Sequence, residues 1–158
     1  MNHHSILVLE DDDTLRGLIV DTLVDHSYTV LDAATPEQAV SLFAQHRIDL
    51  LLTDVRMAGY TDGLGVLAQL KQERPTLRTI VITGYTDLQS PAKAMSCRAD
   101  DYLFKGDQNF GVNLLLEVVQ RVLATTPTPI STPKKIWDSL TTRLRRPKQD
   151  PYLQATRT

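Results

Sequence analysis

The sequence contains very little cysteine, no internal repeat and no long run of apolar residues. Its single cysteine, Cys97, excludes a disulfide framework and a metal site built from several cysteines. The apolar runs are only a few residues long, so the sequence predicts no transmembrane helix. The first residues show no basic stretch followed by an apolar one, so we expect no secretory signal and a cytoplasmic protein.

Charge is unevenly distributed along the 158 residues. Residues 1–124 carry 10 Lys and Arg against 17 Asp and Glu, a net charge of −7. Residues 125–158 carry 7 against 2, a net charge of +5. We therefore predict an acidic domain over residues 1–124. Residues 125–133, rich in Thr and Pro, predict an extended linker, and residues 134–158 predict a basic, partly disordered tail.

The tail contains one pattern typical of a short basic amphipathic helix. Four apolar residues fall on one arc of about 100° on a helical wheel: Ile136, Trp137, Leu140 and Leu144. Two interpretations are open, a helix that folds back or stays mostly unfolded, and a docking element for a partner, an acidic membrane surface or nucleic acid. The 34 residues after position 124 are too few for a typical winged-helix domain, so we expect no sequence-specific DNA binding.

Short apolar runs alternate with helical patterns along the acidic domain. The sequence predicts strands at 5–9, 28–31, 49–53, 79–83 and 102–104, and helices near 15–23, 36–46, 87–95 and 109–124. A further helix contains Val66, Leu67 and Leu70 and ends at Arg74-Pro75. This alternation is typical of a parallel sheet covered by helices on both faces, and about 120 residues are too few for an eight-fold barrel. The fold class is therefore α/β, a doubly wound five-stranded parallel sheet with the flavodoxin-like order 2-1-3-4-5.

Polar residues follow four of the predicted strands at the point where each strand ends. The first strand is followed by four acids, Glu10, Asp11, Asp12 and Asp13. The third strand leads to Asp54, the fourth to Thr83 and the fifth to Lys105. Because ligands bind beyond the carboxyl ends of parallel strands, we expect these side chains to form one cleft.

The residue types in this cleft are those that phosphoryl transfer needs. Packed carboxylates repel one another, and Mg²⁺, which prefers oxygen ligands, relieves that repulsion. Lys105 and Thr83 offer a positive charge and a hydroxyl donor for phosphoryl oxygens. Asp54, in the middle, is then a candidate nucleophile for the phosphoryl group. Taken alone, Asp12 and Asp13 are more typical of a helix N-cap or a solvated loop.

Four segments of the sequence resemble the receiver domain of two-component response regulators, the family that includes the chemotaxis regulator. They are Leu7–Asp12, Asp49–Asp54 with Met57 and Asp62–Gly63, Ile80–Gly84, and Ala99–Lys105. The resemblance covers residues 5–124, about three-quarters of the chain. Each segment is weak alone, but four of them in this order and spacing are highly specific.

The resemblance implies a role for individual residues. Asp54 matches the phosphorylated aspartate, and Glu10 and Asp11 match the acidic pair that holds Mg²⁺, with the backbone carbonyl of Arg56 completing the metal site. Thr83 matches the hydroxyl residue that moves toward the phosphoryl group, and Lys105 matches the lysine that contacts it. In the same way, Tyr102 matches the aromatic residue that turns inward when Thr83 moves.

The resemblance also implies partners. The phosphoryl donor would be a histidine kinase or a phosphotransfer protein, and the output would be contact with a downstream protein. A homodimer through the face of the fourth helix, fifth strand and fifth helix is a further option. The chain would be a signalling phosphoacceptor with weak Mg²⁺-dependent self-phosphorylation and self-dephosphorylation, and not an enzyme.

Two other interpretations compete with a phosphorylated single-domain regulator. A receiver-like binding module that is never phosphorylated is favoured by Gly106 after Lys105 and by the longer loop between Asp54 and Gly63. A phosphatase of the haloacid dehalogenase type also uses an Asp nucleophile and Mg²⁺. That class requires Asp-x-Asp-x-Thr after the first strand, and the spacing fails because Thr14 directly follows Asp13.

Overall fold

The computed structural model describes residues 4–57, 63–84, 98–105 and 110–126. Five strands and four helices lie in these ranges. In chain order they are β1 (Ser5–Leu9), α1 (Asp13–Asp25), β2 (Thr29–Ala33), α2 (Pro36–Gln45), β3 (Leu50–Asp54), α3 (Gly63–Glu73), β4 (Arg78–Thr83), β5 (Asp101–Phe104) and α4 (Val112–Ala124).

The strands form one parallel sheet in the order β2-β1-β3-β4-β5, which confirms the predicted topology. Leu9 pairs with Thr53, Asp54 pairs with Ile82, and Thr83 pairs with Phe104. This register brings the carboxyl ends of β1, β3, β4 and β5 together at one end of the sheet. The residues predicted to form the cleft therefore follow neighbouring strands.

The core lies on both faces of the sheet. Alternate β1 residues point to opposite sides, so Leu7 and Leu9 pack with α2 and α3 while Ile6 and Val8 pack with α1 and α4. Strand β3 is buried along its whole length, whereas the edge strand β2 is partly exposed. A run that is apolar at every position is typical of a strand covered on both faces, which explains the sequence of β1 and β3.

Helix α2 begins at the capping residues that the sequence predicted. Thr35 Oγ1 accepts a hydrogen bond from Gln38 N–H at 3.3 Å, Pro36 begins the helix, and Gln38 Oε1 accepts from Ala34 N–H at 2.9 Å. Helix α4, the fifth helix of the sequence prediction, starts at Val112 and not at 109, because Gly111 is extended with φ of 174°.

Several predictions fall on other parts of the chain. The helix expected at 87–95 and nearly all of the linker and tail expected from residue 125 onward lie outside the described residues. Helix α4 ends at Ala124, where the acidic domain was expected to end. The division of the chain into domain, linker and tail stays a prediction.

The apolar residues of α4 exceed what a narrow helical stripe needs, and most of them are buried. Six are classed as core residues: Leu115, Leu116, Val118, Val119, Val122 and Leu123. Val112, by contrast, is 40% exposed. The broad apolar face is therefore explained largely by packing within the domain.

Candidate functional site

The carboxyl end of the sheet brings two carboxylates and one ammonium group together. Asp54 is the last residue of β3, Glu10 follows β1, and Lys105 follows β5. Lys105 Nζ lies 2.5 Å from Asp54 Oδ2 and 3.0 Å from Glu10 Oε2. A main-chain hydrogen bond of 2.9 Å from Lys105 N–H to the Thr83 carbonyl extends the β4–β5 pairing and places the lysine there.

Glu10 is the most deeply buried carboxylate of this group, with no exposed surface. Burial raises the pKa of Glu10 to about 7, and the nearby charge of Asp54 adds to that rise while Lys105 opposes it. Its Oε1 accepts a hydrogen bond from Asp12 N–H at 3.2 Å. Its Oε2 makes the ion contact with Lys105 but has no hydrogen bond within the described ranges.

Lys105 is held in its charged form by the two acids. Burial alone would lower the pKa of the ammonium group, but contacts with Asp54 and Glu10 outweigh burial and raise it. The ammonium therefore offers a fixed positive charge beside Asp54, whose side chain is only 4% exposed.

The acids of the site fit a divalent cation. Glu10, Asp11 and Asp54 each place one carboxylate oxygen within 4.8 Å of the others. Such a set of hard oxygen ligands suits Mg²⁺, and a cation would be a second partner for the buried Glu10 Oε2, which contacts Lys105 Nζ. The residues present therefore fit the metal that the sequence predicts.

The other two acids of the loop serve the start of α1. Asp12 is the N-cap, and its Oδ1 accepts a hydrogen bond from Leu15 N–H at 2.8 Å. Asp13 is the first helical residue and pairs with Arg16, with a side chain 86% exposed. This confirms the structural interpretation of Asp12 and Asp13.

Thr83 and Tyr102 lie on the same face of the sheet, two positions apart in the register. Val81 pairs with Tyr102 and Thr83 with Phe104, and Val81, Tyr102 and Phe104 belong to one apolar cluster. Thr83 is fully buried and its Oγ1 donates to the Gly84 carbonyl at 3.1 Å. Tyr102 is only 4% exposed. The movement of these two residues stays a prediction.

Arg56 contacts the site through its main chain. Its N–H donates to Asp54 Oδ1 at 3.2 Å, so both carboxylate oxygens of Asp54 have a partner. This contact brings the Arg56 main chain next to Asp54, while the role of its carbonyl in metal binding stays a prediction.

Two features of the site were not found from the sequence. Gly63 starts α3 directly against Asp54, since a Cβ there would lie 1.8 Å from the Asp54 carbonyl oxygen. Arg16 donates from Nη1 to the Glu10 carbonyl at 2.8 Å. The Asp13–Arg16 spacing of three residues was a visible signal for a helix pair, but nothing in it pointed to Glu10.

Comparison with known families decides the assignment. The family model described as the response regulator receiver domain matches residues 6–120. The chain belongs to this family. The resemblance noted in the sequence is thereby confirmed, and the order of the sheet agrees with it.

Related proteins and structures support the same family. The receiver domain of NtrX from Brucella abortus, a solved structure, is 26% identical with a TM-score of 0.69, covering 77% of this chain and 99% of that one. The DNA-binding transcriptional regulator NtrC of Salmonella typhimurium is 30% identical over 124 residues, 78% of this chain and 26% of that protein. A putative NtrX-like response regulator of Rickettsia typhi is 29% identical over 118 residues, 74% of this chain and 25% of that protein. The chain thus spans about a quarter of the length of these curated relatives.

Membership in the family has direct consequences. Receiver domains of two-component systems accept a phosphoryl group on an aspartate, interact with histidine kinases and bind Mg²⁺ in an acidic pocket. They are signalling phosphoacceptors and not classical enzymes. Among the residues that the structure describes, no helix is both long and apolar enough to span a bilayer.

Proposed function

We propose that this receiver domain accepts a phosphoryl group on Asp54 from a histidine kinase or a phosphotransfer protein and signals by contact with a downstream protein. The observation that carries the proposal is the contact of Asp54 with Lys105 Nζ at 2.5 Å, inside a group of three clustered carboxylates. Asp54 is buried and is the last residue of its strand, at the carboxyl end of the sheet, where parallel sheets bind ligands.

The chain divides the work of the transfer among its residues. Glu10, Asp11 and Asp54, with the Arg56 carbonyl, would hold Mg²⁺, which supplies charge neutralisation for the phosphoryl oxygens. One Asp54 carboxylate oxygen attacks the phosphorus of a phosphohistidine. A P–O bond forms as the P–N bond breaks, and the electron pair returns to the imidazole nitrogen of the donor. Lys105 keeps its proton and balances the charge gained at Asp54.

The switch follows from the same geometry. A phosphoryl group on Asp54 adds negative charge and strong acceptor oxygens. Thr83 Oγ1 would leave the Gly84 carbonyl, its present partner at 3.1 Å, and donate to one of those oxygens. Tyr102, on the same sheet face, would then occupy space near Thr83. The phosphoryl group thereby biases two packing states of one element, and the face containing β5 and α4 carries the change to a partner or a second copy.

We also propose that the protein signals through this domain without a DNA-binding domain. Signalling as a single domain, without sequence-specific DNA binding, was the expectation from the short basic tail. The curated relatives are about three times as long as this chain, and one of them carries the name DNA-binding transcriptional regulator. Single-domain action therefore stays a prediction, as do the cytoplasmic location and the weak self-phosphorylation and self-dephosphorylation.

Treatment with a small phosphoryl donor tests the assignment of Asp54. Acetyl phosphate with Mg²⁺ should add one phosphoryl group to the wild-type chain, measured by intact-protein mass spectrometry, and none to Asp54→Asn. Asp25→Asn, which changes an exposed acid at the end of α1, is the matched control and should be labelled like the wild type. Equal labelling of wild type and Asp54→Asn would refute Asp54 as the acceptor.

The same experiment separates the competing interpretation. A constitutive binding module would stay unlabelled in the wild type at every Mg²⁺ concentration and with its cognate kinase. The described site residues retain every chemical group that the phosphoacceptor needs, which favours the phosphorylated form.

A further inference from the structure

Arg16 ties the metal-binding loop to the rest of the sheet. Its guanidinium donates from Nη1 to the Glu10 carbonyl at 2.8 Å and from Nε to Asp32 Oδ2 at 3.0 Å, and it pairs through Nη2 with Asp13. The side chain is only 16% exposed although it carries a full charge. One residue of α1 thereby contacts the end of β1, the start of its own helix and strand β2.

The loop held by Arg16 contains the acids expected to bind Mg²⁺. Residues 10–12 join β1 to α1, and Glu10 N–H also donates to the Ala33 carbonyl at 3.1 Å. One planar guanidinium thus binds the main-chain carbonyl of Glu10, directly before Asp11, and the side chain of Asp13, two residues after it. The direction in which Glu10 and Asp11 present their carboxylates depends on that main chain.

We propose that Arg16 is a positioning residue that fixes the Glu10–Asp11 loop in the geometry required for Mg²⁺. This inference rests on the proposed Mg²⁺ site and adds a residue that touches neither the cation nor the phosphoryl group. The guanidinium suits the task because its planar fork binds three oxygen atoms at once, which an ammonium on a flexible stem cannot reproduce.

Two effects of Arg16 on metal binding have opposite signs, and this makes the inference testable. As a positive charge near the acids, Arg16 repels a cation, so its removal would strengthen binding. As a clamp on the loop, Arg16 preorganises the ligands, so its removal would weaken binding. Loss of a group that orients metal ligands typically costs about 10- to 100-fold in affinity.

Two substitutions of Arg16 distinguish the effect of its charge from the effect of its planar guanidinium. Arg16→Lys keeps the charge and loses the fork, and Arg16→Met loses both. We expect both full-length variants to bind Mg²⁺ about 10-fold more weakly than wild type, the lower end of the usual range for such groups. Binding would be followed by amide NMR shifts during titration with MgCl₂.

Selectivity between two cations provides a readout that a general loss of structure would not move. Mg²⁺ demands near-ideal octahedral geometry, whereas Ca²⁺ accepts flexible arrangements of oxygen ligands. A misplaced loop should therefore weaken Mg²⁺ binding much more than Ca²⁺ binding. A change in charge alone would alter both affinities by the same factor.

Two further variants control the experiment. Arg121→Lys removes a guanidinium that also binds a carboxylate through two nitrogens, at Asp101, and should leave both affinities unchanged. Asp32→Asn weakens the anchor of Arg16 on β2 without altering Arg16, and we expect a smaller loss of Mg²⁺ affinity. It keeps the test valid if Arg16→Met does not fold.

Each outcome has a defined meaning. Weaker Mg²⁺ binding by Arg16→Lys with nearly unchanged Ca²⁺ binding supports the inference. Wild-type affinity in Arg16→Lys together with tighter binding in Arg16→Met would show that Arg16 acts through charge alone and would overturn it. Absence of Mg²⁺ binding in the wild type would overturn the proposed metal site itself, and the inference with it.

Discussion

The two ends of the sheet both contain an aspartate–lysine pair, but they differ in how completely the carboxylates are satisfied. Where the strands begin, Asp100 Oδ2 accepts hydrogen bonds from Thr79 N–H at 2.7 Å, Thr79 Oγ1 at 3.0 Å and Lys71 Nζ at 3.1 Å. Where the strands finish, Glu10 and Asp54 share Lys105, and within the described ranges Glu10 Oε2 has no hydrogen bond.

This difference is consistent with the proposed roles of the two ends. Asp100 stabilises the fold because its partners come from the chain itself and pin the start of β5 to the start of β4. The carboxylates at the other end would be better satisfied by a cation, and such a group is supplied from solution. One end of the sheet is therefore closed by the protein's own groups, while the other end is built to gain stability when it binds.

Removing the Asp100 carboxylate, at the end of the sheet where the strands begin, should have the largest effect on the free energy of unfolding. Asp100→Ala leaves the N–H and hydroxyl of Thr79 without their acceptor, and Thr79 is fully buried. Since each unsatisfied buried donor costs about 1–3 kcal/mol, the free energy of unfolding should fall by about 3 kcal/mol. Urea unfolding at pH 7 measures the change.

Glu117→Ala is the matched control, because it removes an exposed carboxylate paired with Arg121 on α4. Surface pairs of this kind contribute about 0–1 kcal/mol. Similar losses in Asp100→Ala and Glu117→Ala would contradict the idea that the beginning of the sheet is held by the Asp100 network.

Adding a side chain at Gly63, next to the main chain of Asp54, should lower the free energy of unfolding slightly less. Gly63→Ala places a Cβ 1.8 Å from the Asp54 carbonyl oxygen, so α3 or β3 must move. Overpacking of this kind costs about 2–3 kcal/mol and should also weaken Mg²⁺ binding, since Asp54 shifts with its carbonyl. Gly17→Ala in α1, where a Cβ meets nothing within 4 Å, should instead stabilise the protein by up to about 1 kcal/mol. Equal effects of the two substitutions would refute the close approach at Gly63.

Replacing the buried Glu10 by a neutral residue should stabilise the metal-free protein. The pKa of Glu10 is raised from 4.5 to about 7 by burial, so the folded state binds a proton that the unfolded state has already lost. The free energy of unfolding should therefore fall as the pH rises from 4.5 to 7 and level off above 7. Glu10→Gln removes this dependence and should add about 2 kcal/mol at pH 8.

Urea unfolding in EDTA at several pH values tests this prediction. The wild-type curve should run below that of Glu10→Gln at pH 8 and approach it near pH 4.5. Parallel curves over this interval would show that Glu10 does not titrate as its burial requires. Added Mg²⁺ should stabilise the wild type more than Glu10→Gln, because binding to the folded state alone increases stability.

The strand order and the grouping of the site residues could be predicted from the sequence, whereas one helix start could not. The order of the strands was expected from the alternation of five apolar runs with helical patterns, which is typical of a doubly wound parallel sheet. The grouping of Glu10, Asp54 and Lys105 followed from that order. The start of α4 did not, since Gly111 is extended and helical periodicity alone does not show where a helix begins.

Two contacts with main-chain carbonyls could not be predicted from the sequence. The bond from Arg16 to the Glu10 carbonyl and the approach of Gly63 to Asp54 depend on how α1 and α3 pack against the sheet. Neither contact leaves a spacing that a single sequence reveals. The burial of Glu10 likewise comes from elements far apart in the chain, so its raised pKa could not be anticipated.

The smallest expected effect concerns backbone strain away from the functional end. Ser27 has φ of 65° in the turn between α1 and β2, where Ser27 N–H donates to the Val24 carbonyl and Tyr28 N–H to the Leu23 carbonyl. Glycine adopts this left-handed conformation without steric cost, so Ser27→Gly should raise the free energy of unfolding by about 0.5–1 kcal/mol. Ser41→Gly makes the same chemical change inside α2 and should lower it by about 0.5 kcal/mol or more. Since Ser27 lies at the beginning of the sheet, Mg²⁺ affinity should be unchanged in Ser27→Gly, and a gain of stability accompanied by weaker Mg²⁺ binding would show that the two ends of the sheet are coupled.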